Sequence, residues 1–508
     1  MPLQPREPVS ELVHAVLAAA AHRPDSPAVA DTTRELTYFE LSQEASAVTQ
    51  GLQSLMTDDH LVAVRTGRST AAVVAMLAIR MAGRGYVPID PTLPTQRAEF
   101  ILDDSGARLI VTDRALPGET AVMQFGDLMV VARSFDEVAR SEVPADTAYV
   151  IYTSGSTGAP KGCIIREGGL MQMLDSVKTV IGTSAADTWS VFHSFSFDAS
   201  VYEIWAPLTC GGSARIVPDD VRHDPETFWD YVDREGVTIL SLTSSVLSGA
   251  LDTLDGRVEP NAVLRHLILG GEKLRPRDIV RLYDSGLFPT ITAWNLWGIT
   301  EGTVHCSYKR ITRDMVDPSA PSGTLTPIGV PLPHLRISVV PPSDSDESGE
   351  LVVTGEAVAW GYLNRPELTT SRFTLDGETR LADYRTGDWG RVQDGELMYE
   401  GRRDDQVKIR GFRIELGEIE HALLGDPRVS SAACMVGQHP GSGRDVLIAA
   451  VQTADEEVSE LHLLRALRAT LPGYMVPLRI GIYDRLPVNS NGKIDRQAIV
   501  HGLLQEER

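Results

Sequence analysis

Four hydroxyl side chains, three glycines and a lysine fall within ten residues at Thr153-Ser154-Gly155-Ser156-Thr157-Gly158-Ala159-Pro160-Lys161-Gly162, directly after an apolar strand-like run. Such a stretch supplies backbone N–H groups, hydroxyl donors and a cation, the equipment for holding a polyphosphate. It is not a Walker A loop, because Pro160 precedes the lysine and Gly162 follows it, where that motif requires Gly and Ser or Thr. By itself the run also fits a flexible surface linker, since Gly/Ser/Thr loops are common. Other residues able to serve a phosphate site are scattered: Thr300 with Glu301, Asp388 after a glycine, and Lys493 beside the bend Asn491–Gly492. Each read alone has a plainer meaning, as a helix cap, a turn residue and a solvated side chain respectively.

The elements that must position these residues follow an α/β rhythm to about residue 400. LVAVRT, STAAVVAMLAIRMAG, GYVPI, a helix ending at Ser105 and RLIVTD alternate strand-like and helix-like patterns, which argues for mostly parallel strands. The rhythm resumes at AYVIYTSG, followed by a helix and TWSVFHSFSF, and again from Gly236 to Gly271. Between Asp317 and Gly349 the composition turns to Pro, Ser and Asp, and ELVVTG and ELMYEG then read as antiparallel strands of a smaller β-rich part. Beyond GRRDDQVK, a helix (IELGEIEHALL), a strand pair (SAACMVGQ, VLIAAVQTA) and a helix (ELHLLRALRATL) make an α+β second domain.

With 508 residues there is room for several domains or sub-domains. Lys plus Arg total 47 against 69 Asp plus Glu, a net charge of −22, which disfavours nucleic-acid and anionic-membrane partners. The four cysteines, Cys163, Cys210, Cys306 and Cys434, form no CxxC pair and match no histidine spacing, so neither a zinc site nor a disulfide framework is expected, and a cytoplasmic setting fits. The apolar run Ala15–Ala21 belongs to an amphipathic helical pattern, not a signal, and no apolar window is long enough for a membrane span.

YTSGSTGAPKG strongly resembles the phosphate loop of the adenylate-forming enzymes, and within them the adenylation domains of nonribosomal peptide synthetases. LTYFEL (36–41), GRGYVPIDP (83–91), FDASVYEIW (197–205), NLWGITE (295–301), GELVVTGEAVAWGYLNRPELT (349–369), YRTGDWG (384–390), GRRDDQVKIRGFRIELGEIE (401–420) and NGKIDR (491–496) are similar to further motifs of that family, in its order. The resemblance covers essentially the whole chain. It implies a large N-terminal domain of mixed and parallel sheets with helices plus a β-rich part over 1–403, and a small mobile α+β domain over 404–508, hinged at Asp404. No carrier or condensation segment is recognisable, so a stand-alone module is expected.

The resemblance implies ATP and Mg²⁺ as cofactors. Thr153, Ser154, Gly155, Ser156, Thr157, Gly158 and Lys161 would surround the phosphates, with Thr300 beside them and Glu301 holding the metal. Gly271 and Glu272 are expected among the nucleotide-binding residues, Asn295 would face the adenine edge and Trp297 its face, Asp388 would hold the ribose and Arg402 the phosphate side. Most relatives carry Tyr where Trp297 stands, which leaves any hydrogen bond of that tyrosine in doubt. Lys493 would bridge the substrate carboxylate and the nucleotide phosphate, while Arg410 and Gly411 would serve the second half-reaction. Asp198 matches the aspartate that pairs an amino acid's α-ammonium, which acyl- and aryl-activating relatives commonly lack. Ala199, Tyr202, Ser241, Ile268, Gly270, Leu296, Val304 and His305 would line the rest of the pocket, in a pattern close to threonine-activating members but widened at Ala199 and Tyr202.

The implied activity is formation of an aminoacyl-AMP from a threonine-like, β-substituted or β-hydroxy amino acid, then transfer to the phosphopantetheine of a separate carrier protein, with a small MbtH-like activator as a further partner. An aromatic amino acid, an acyl- or aryl-CoA ligase and a non-catalytic scaffold are the competing readings. Two departures stand out. Cys163 and the run Arg166-Glu167-Gly168-Gly169 replace a family valine and histidine, and Gly302 replaces a common Thr.

Overall fold

The computed structural model describes residues 10–505 except 56–59, 134–141, 156–157, 255–256, 258–259, 317–325, 344–345, 376–381, 442, 455–456 and 490–493. The chain forms two compact units, one of Met1–Pro91, Leu102–Ile151 and Gly162–Gly401, the other of Thr92–Ile101, Tyr152–Lys161 and Arg402–Arg508.

Two sheets build the first unit. One has eight strands among the described residues, with Thr147–Thr153 between Lys161–Arg166 and Gly85–Pro88, and Leu61–Arg65 and Leu109–Thr112 beyond. Leu61–Arg65 is buried at all five positions, as expected of a parallel strand covered on both faces. The helix Thr70–Met81 is apolar nearly all round and is buried along its whole length to Arg80. The second sheet has fourteen strands among the described residues. Thr188–Val191, Ile239–Leu242, His266–Leu269 and Thr292–Trp297 run parallel in that order. Ser307–Ile311 then turns antiparallel and leads into the β-rich strands Thr326–Pro331, Glu396–Arg402, Ala382–Gln393, Gly349–Gly355 and Leu335–Val340.

The helix expected directly after the phosphate loop is preceded by a strand. Lys161–Arg166 comes first, and Glu167–Ile181 is the helix. Its first residue explains one departure. The Glu167 carboxylate pairs with the Arg80 guanidinium and accepts from Ser10 Oγ (2.7 Å) and Leu12 N (3.0 Å), tying three helices together. Glu167 is therefore engaged in holding the fold.

In the second unit, Gln406–Ile409 and Phe412–Glu415 form a hairpin whose two turn residues, Arg410 (φ 53°) and Gly411 (φ 81°), are both left-handed. Ser431–Gln438 pairs antiparallel with Asp445–Gln452, and a third strand, Arg479–Tyr483, adds to the latter in parallel. That third strand is absent from the sequence reading. The helices Leu416–Leu424, Glu460–Thr470 and Arg496–Gln505 complete the α+β unit. Among the described residues no helix is long and apolar enough to cross a membrane, and all four cysteines are free thiols.

Candidate active site

The residues assigned to the pocket by the family resemblance sit toward the ends of the parallel strands of the larger sheet. Ser241 is in register with Ile268, which in turn faces Trp294, two residues before Leu296. Ser241, Ile268, Leu296, Val304 and His305 are all buried. A side chain at Gly270 would meet Leu296 O at 3.0 Å and His305 Cε1 at 4.0 Å, so these three residues are neighbours and glycine keeps the space open.

After Trp297 the chain makes a tight 3₁₀ turn, Thr300–Gly302, followed by Thr303 (φ 60°) and Val304 (φ 69°). Two consecutive β-branched residues in the left-handed region are strained, a conformation that persists where surrounding contacts enforce it. Here Thr303 Oγ1 donates to Ala357 O (2.5 Å), and a Cβ on Gly298 would lie 1.7 Å from Val304 O. The fold thereby directs Val304 and His305 to their positions. Gly302 is also explained, because Cys306 Sγ lies 2.4 Å from where its Cβ would be.

His305 is packed edge-on against Tyr202, with ring centroids 5.2 Å apart. Burial, helped by His193, pushes the His305 pKa down to about 3, so its imidazole is neutral at ordinary pH. Burial also pushes the Tyr202 phenol well above its usual range. Tyr202 further lines a cavity of about 50 Å³ with Met171, Leu174 and Ala206.

Asp198 is the first residue of the helix Asp198–Cys210, where the partial positive charge of the helix N-terminus favours an anion. Thr300 Oγ1 donates to its Oδ2 at 2.6 Å, so residues from two distant motifs meet. Ala199 follows in the same turn and is half-buried. Glu301 is fully buried and accepts from the Tyr362 hydroxyl. Asn295 Nδ2 donates to Pro327 O (2.8 Å), leaving its Oδ1 as the acceptor of that amide. Trp297 is buried, and its Nε1 donates to Asp388 Oδ2 (3.1 Å), with Asp388 itself fully buried. The indole thus makes a bond to the ribose-assigned carboxylate that the sequence did not reveal. Glu272, following the left-handed Gly271 (φ 76°), accepts from Ser245 N (2.8 Å) and Oγ (3.1 Å) at the start of the helix Ser244–Leu251.

The phosphate-loop residues fall in the second unit. Thr153 Oγ1 is buried with no hydrogen-bond partner among the described residues, an orphaned hydroxyl at the head of the loop. A Cβ at Gly155 would stand 2.0 Å from Ala159 O, and Gly158 has φ 86°, so the tight turn requires both glycines. Ser154 Oγ donates to Arg413 O (2.8 Å), Gly155 N donates to Glu418 Oε2 (3.1 Å), and Lys161 Nζ lies 3.9 Å from Glu415. Burial pushes the Glu418 carboxyl up, against the pull of the Arg97 guanidinium that it pairs with. Carboxylate oxygens thus occupy loop donors of the kind a phosphate would use. Arg402 is paired with Asp404 (2.6 Å). Ser156, Thr157 and Lys493 lie outside the described residues.

Residues 16–363 match the AMP-binding enzyme family, and residues 418–493 match the AMP-binding enzyme C-terminal domain. Syringomycin synthase SyrB1 of Pseudomonas syringae pv. syringae is 36% identical over 522 residues, covering 98% of this chain and 82% of that protein. The dimodular nonribosomal peptide synthase of Bacillus subtilis (strain 168) is 38% identical over 507 residues, which are 94% of this chain and 21% of the relative. The chain therefore spans about a fifth of the length of the first curated relatives it matches. Among solved structures, NpsA-ThdA, an artificially fused adenylation–PCP di-domain from Klebsiella oxytoca, superposes with a TM-score of 0.76 at 25% identity, over 94% of this chain and 87% of that one. The chain belongs to the AMP-binding enzyme family, as an adenylating ligase of the nonribosomal peptide synthetase adenylation-domain type.

Proposed function

We propose that this chain activates a threonine-like or bulkier β-hydroxy amino acid with ATP, releases pyrophosphate, and passes the aminoacyl group to the phosphopantetheine thiol of a carrier protein. The observation that carries this reading is the 2.6 Å bond between Thr300 and Asp198, which sets the ammonium-pairing carboxylate beside the Thr300–Glu301 turn. Asp198 anchors the α-ammonium by a charge-assisted hydrogen bond of about 1.5–3 kcal/mol. Ser241 and the neutral His305 offer hydrogen bonds to a β-hydroxyl, and Ala199 leaves room beside it. One substrate carboxylate oxygen attacks the α-phosphorus of ATP, and the bond to the pyrophosphate oxygen breaks. The carrier thiolate then attacks the acyl carbon and AMP leaves.

The orphaned Thr153 hydroxyl and the glycines at 155 and 158 suit a polyphosphate. A divalent cation fits the donors as well. Glu301 provides hard carboxylate oxygens, and among the described residues no group of three or more His, Cys, Asp or Glu could cage an ion. Phosphate oxygens and water would complete the shell, which is the habit of Mg²⁺. When bound, Mg²⁺ offsets charge on the phosphates during displacement. Lys493 is assigned the cation that bridges carboxylate and phosphate, Asp404 the hinge, and Arg402 the phosphate side, all from the family resemblance. The carrier partner is supported by the adenylation–PCP architecture of NpsA-ThdA, a separate chemistry from binding of an MbtH-like activator.

Trapping the activated acyl group with hydroxylamine across a panel of amino acids tests the substrate class. L-threonine or a larger β-hydroxy amino acid is expected to exceed L-2-aminobutyrate by at least roughly tenfold at low concentration, because a site built for a hydroxyl leaves buried polar groups unpaired without it. A best substrate that is aromatic or aliphatic, with no response to a β-hydroxyl, overturns the pocket assignment.

A further inference from the structure

We propose that Tyr362, backed by Tyr384, is a positioning residue that aims the Glu301 carboxylate at the divalent cation carried with ATP. The inference rests on the metal reading of Glu301 given above. Glu301 has no exposed surface, so its carboxylate is oriented by protein donors, and the Tyr362 hydroxyl donates to its Oε1 at 2.5 Å. A hydroxyl donating to a carboxylate makes one of the stronger hydrogen bonds a side chain can form. The Tyr384 hydroxyl lies 3.0 Å from that of Tyr362, and both rings are buried against Phe373. Successive hydrogen bonds polarise one another, so the second phenol strengthens the first.

The backbone around Tyr362 adds a second, independent argument. Ala359 N donates to Glu301 O (2.8 Å), fixing the main chain of the turn that carries the carboxylate. Trp360 N then donates to Ile164 O (2.9 Å), Tyr362 is in register with Cys163, and Leu363 N donates to Gly162 O (2.8 Å). Residues Ala359–Leu363 therefore form a strap with Glu301 at one end and the strand leaving the phosphate loop at the other. The phenol that holds the carboxylate stands on the two-residue strand Gly361–Tyr362 that sets this register. Gly361 takes φ 134°, and a Cβ there would lie 2.5 Å from Thr369 Cγ2, so glycine is required at this point of the strap. Outer residues that fix a ligating carboxylate typically change metal affinity by 10- to 100-fold when lost.

The test is Mn²⁺ binding, followed by electron paramagnetic resonance, to the full chain in the presence of an ATP analogue with a methylene bridge between the α- and β-phosphorus atoms. Tyr362→Phe keeps the ring and removes the hydroxyl. It is expected to weaken Mn²⁺ at least tenfold and to raise the Mg²⁺ concentration for half-maximal turnover by a similar factor, with the amino acid KM unchanged. Tyr384→Phe should weaken Mn²⁺ by a smaller factor, and it carries the test if Tyr362→Phe does not fold. Phe373→Leu, which alters packing without touching a hydroxyl, should leave Mn²⁺ binding unchanged. Wild-type Mn²⁺ affinity in the phenylalanine variants overturns the proposal. Glu301→Gln separates the two claims: if it too binds Mn²⁺ normally, the metal reading of Glu301 itself fails.

Discussion

The indole N–H of Trp297 on Asp388 shows how a single side chain settles what its motif leaves open. A tyrosine-to-tryptophan exchange at this position reads from sequence as a larger ring and a lost hydroxyl. Only the structure shows that the new N–H reaches a buried carboxylate. Trp297→Phe should preserve an aromatic face and remove that bond, costing about 1–2 kcal/mol in ATP binding and narrowing the preference for ATP over 2′-deoxy-ATP. Nucleotide competition assays read both quantities, and an unchanged preference would remove Asp388 orientation from the role of Trp297. Lys493→Ala belongs to the same scale. On its proposed role, bridging carboxylate and phosphate in the first step alone, it is expected to abolish adenylate formation while sparing transfer from preformed adenylate. Equal loss of both half-reactions contradicts the assignment. Residue types at the site were legible because the motifs carry them in fixed order. Their partners were not, because Thr300 meets Asp198, and Tyr362 meets Glu301, across 102 and 61 residues of chain.

At the scale of elements, Glu167 fastens the start of its own helix to the helices Glu11–His22 and Thr70–Met81 through Arg80, Ser10 and Leu12. Glu167→Ala leaves the Arg80 charge buried with, among the described residues, only the carbonyl oxygens of Arg84 and Thr147 as partners, and should cost about 3 kcal/mol in urea denaturation. Arg80→Met combined with Glu167→Leu should cost clearly less, because no charge remains stranded. A double variant as unstable as the single one would show that the pair contributes shape alone. Alternating strands and helices were readable as far as Thr112, where LVAVR and LIVT are buried at every position, and again in AYVIYT, TWSV and the strands between Gly236 and Gly271. KGCIIR escaped notice because only three apolar residues, Cys163 to Ile165, stand between Lys161 and Arg166, too few to show a helical or alternating period. RIGIY escaped likewise, being short and interrupted by Gly481, whose added Cβ would lie 2.7 Å from Tyr483.

For the whole molecule, the net charge of −22 disfavours polyanionic partners and says nothing of the pocket, whereas the buried histidines make the fold's stability respond to acid. Burial pushes His266 and His334 down to about 4 and His305 to about 3. Above pH 6.5 these groups are neutral in both folded and unfolded chains and contribute no pH dependence. Below it the unfolded chain takes up protons that the folded chain refuses, so stability falls with pH down to the folded values, by up to about 1.4 kcal/mol per pH unit for each histidine. Urea midpoints should therefore drop between pH 6.5 and 5, and His266→Gln should flatten that slope; parallel slopes would contradict the account. The central claim, activation of an amino acid held by Asp198, is tested most directly by ATP–pyrophosphate exchange without any carrier protein, comparing the wild type with Asp198→Ala on L-threonine and on the matching 2-hydroxy acid. The wild type should exchange label only with the amino acid, and Asp198→Ala should lose most of that exchange while gaining relatively on the hydroxy acid. Exchange by the wild type that is indifferent to the α-ammonium, or an Asp198→Ala variant with unchanged preference, would contradict it.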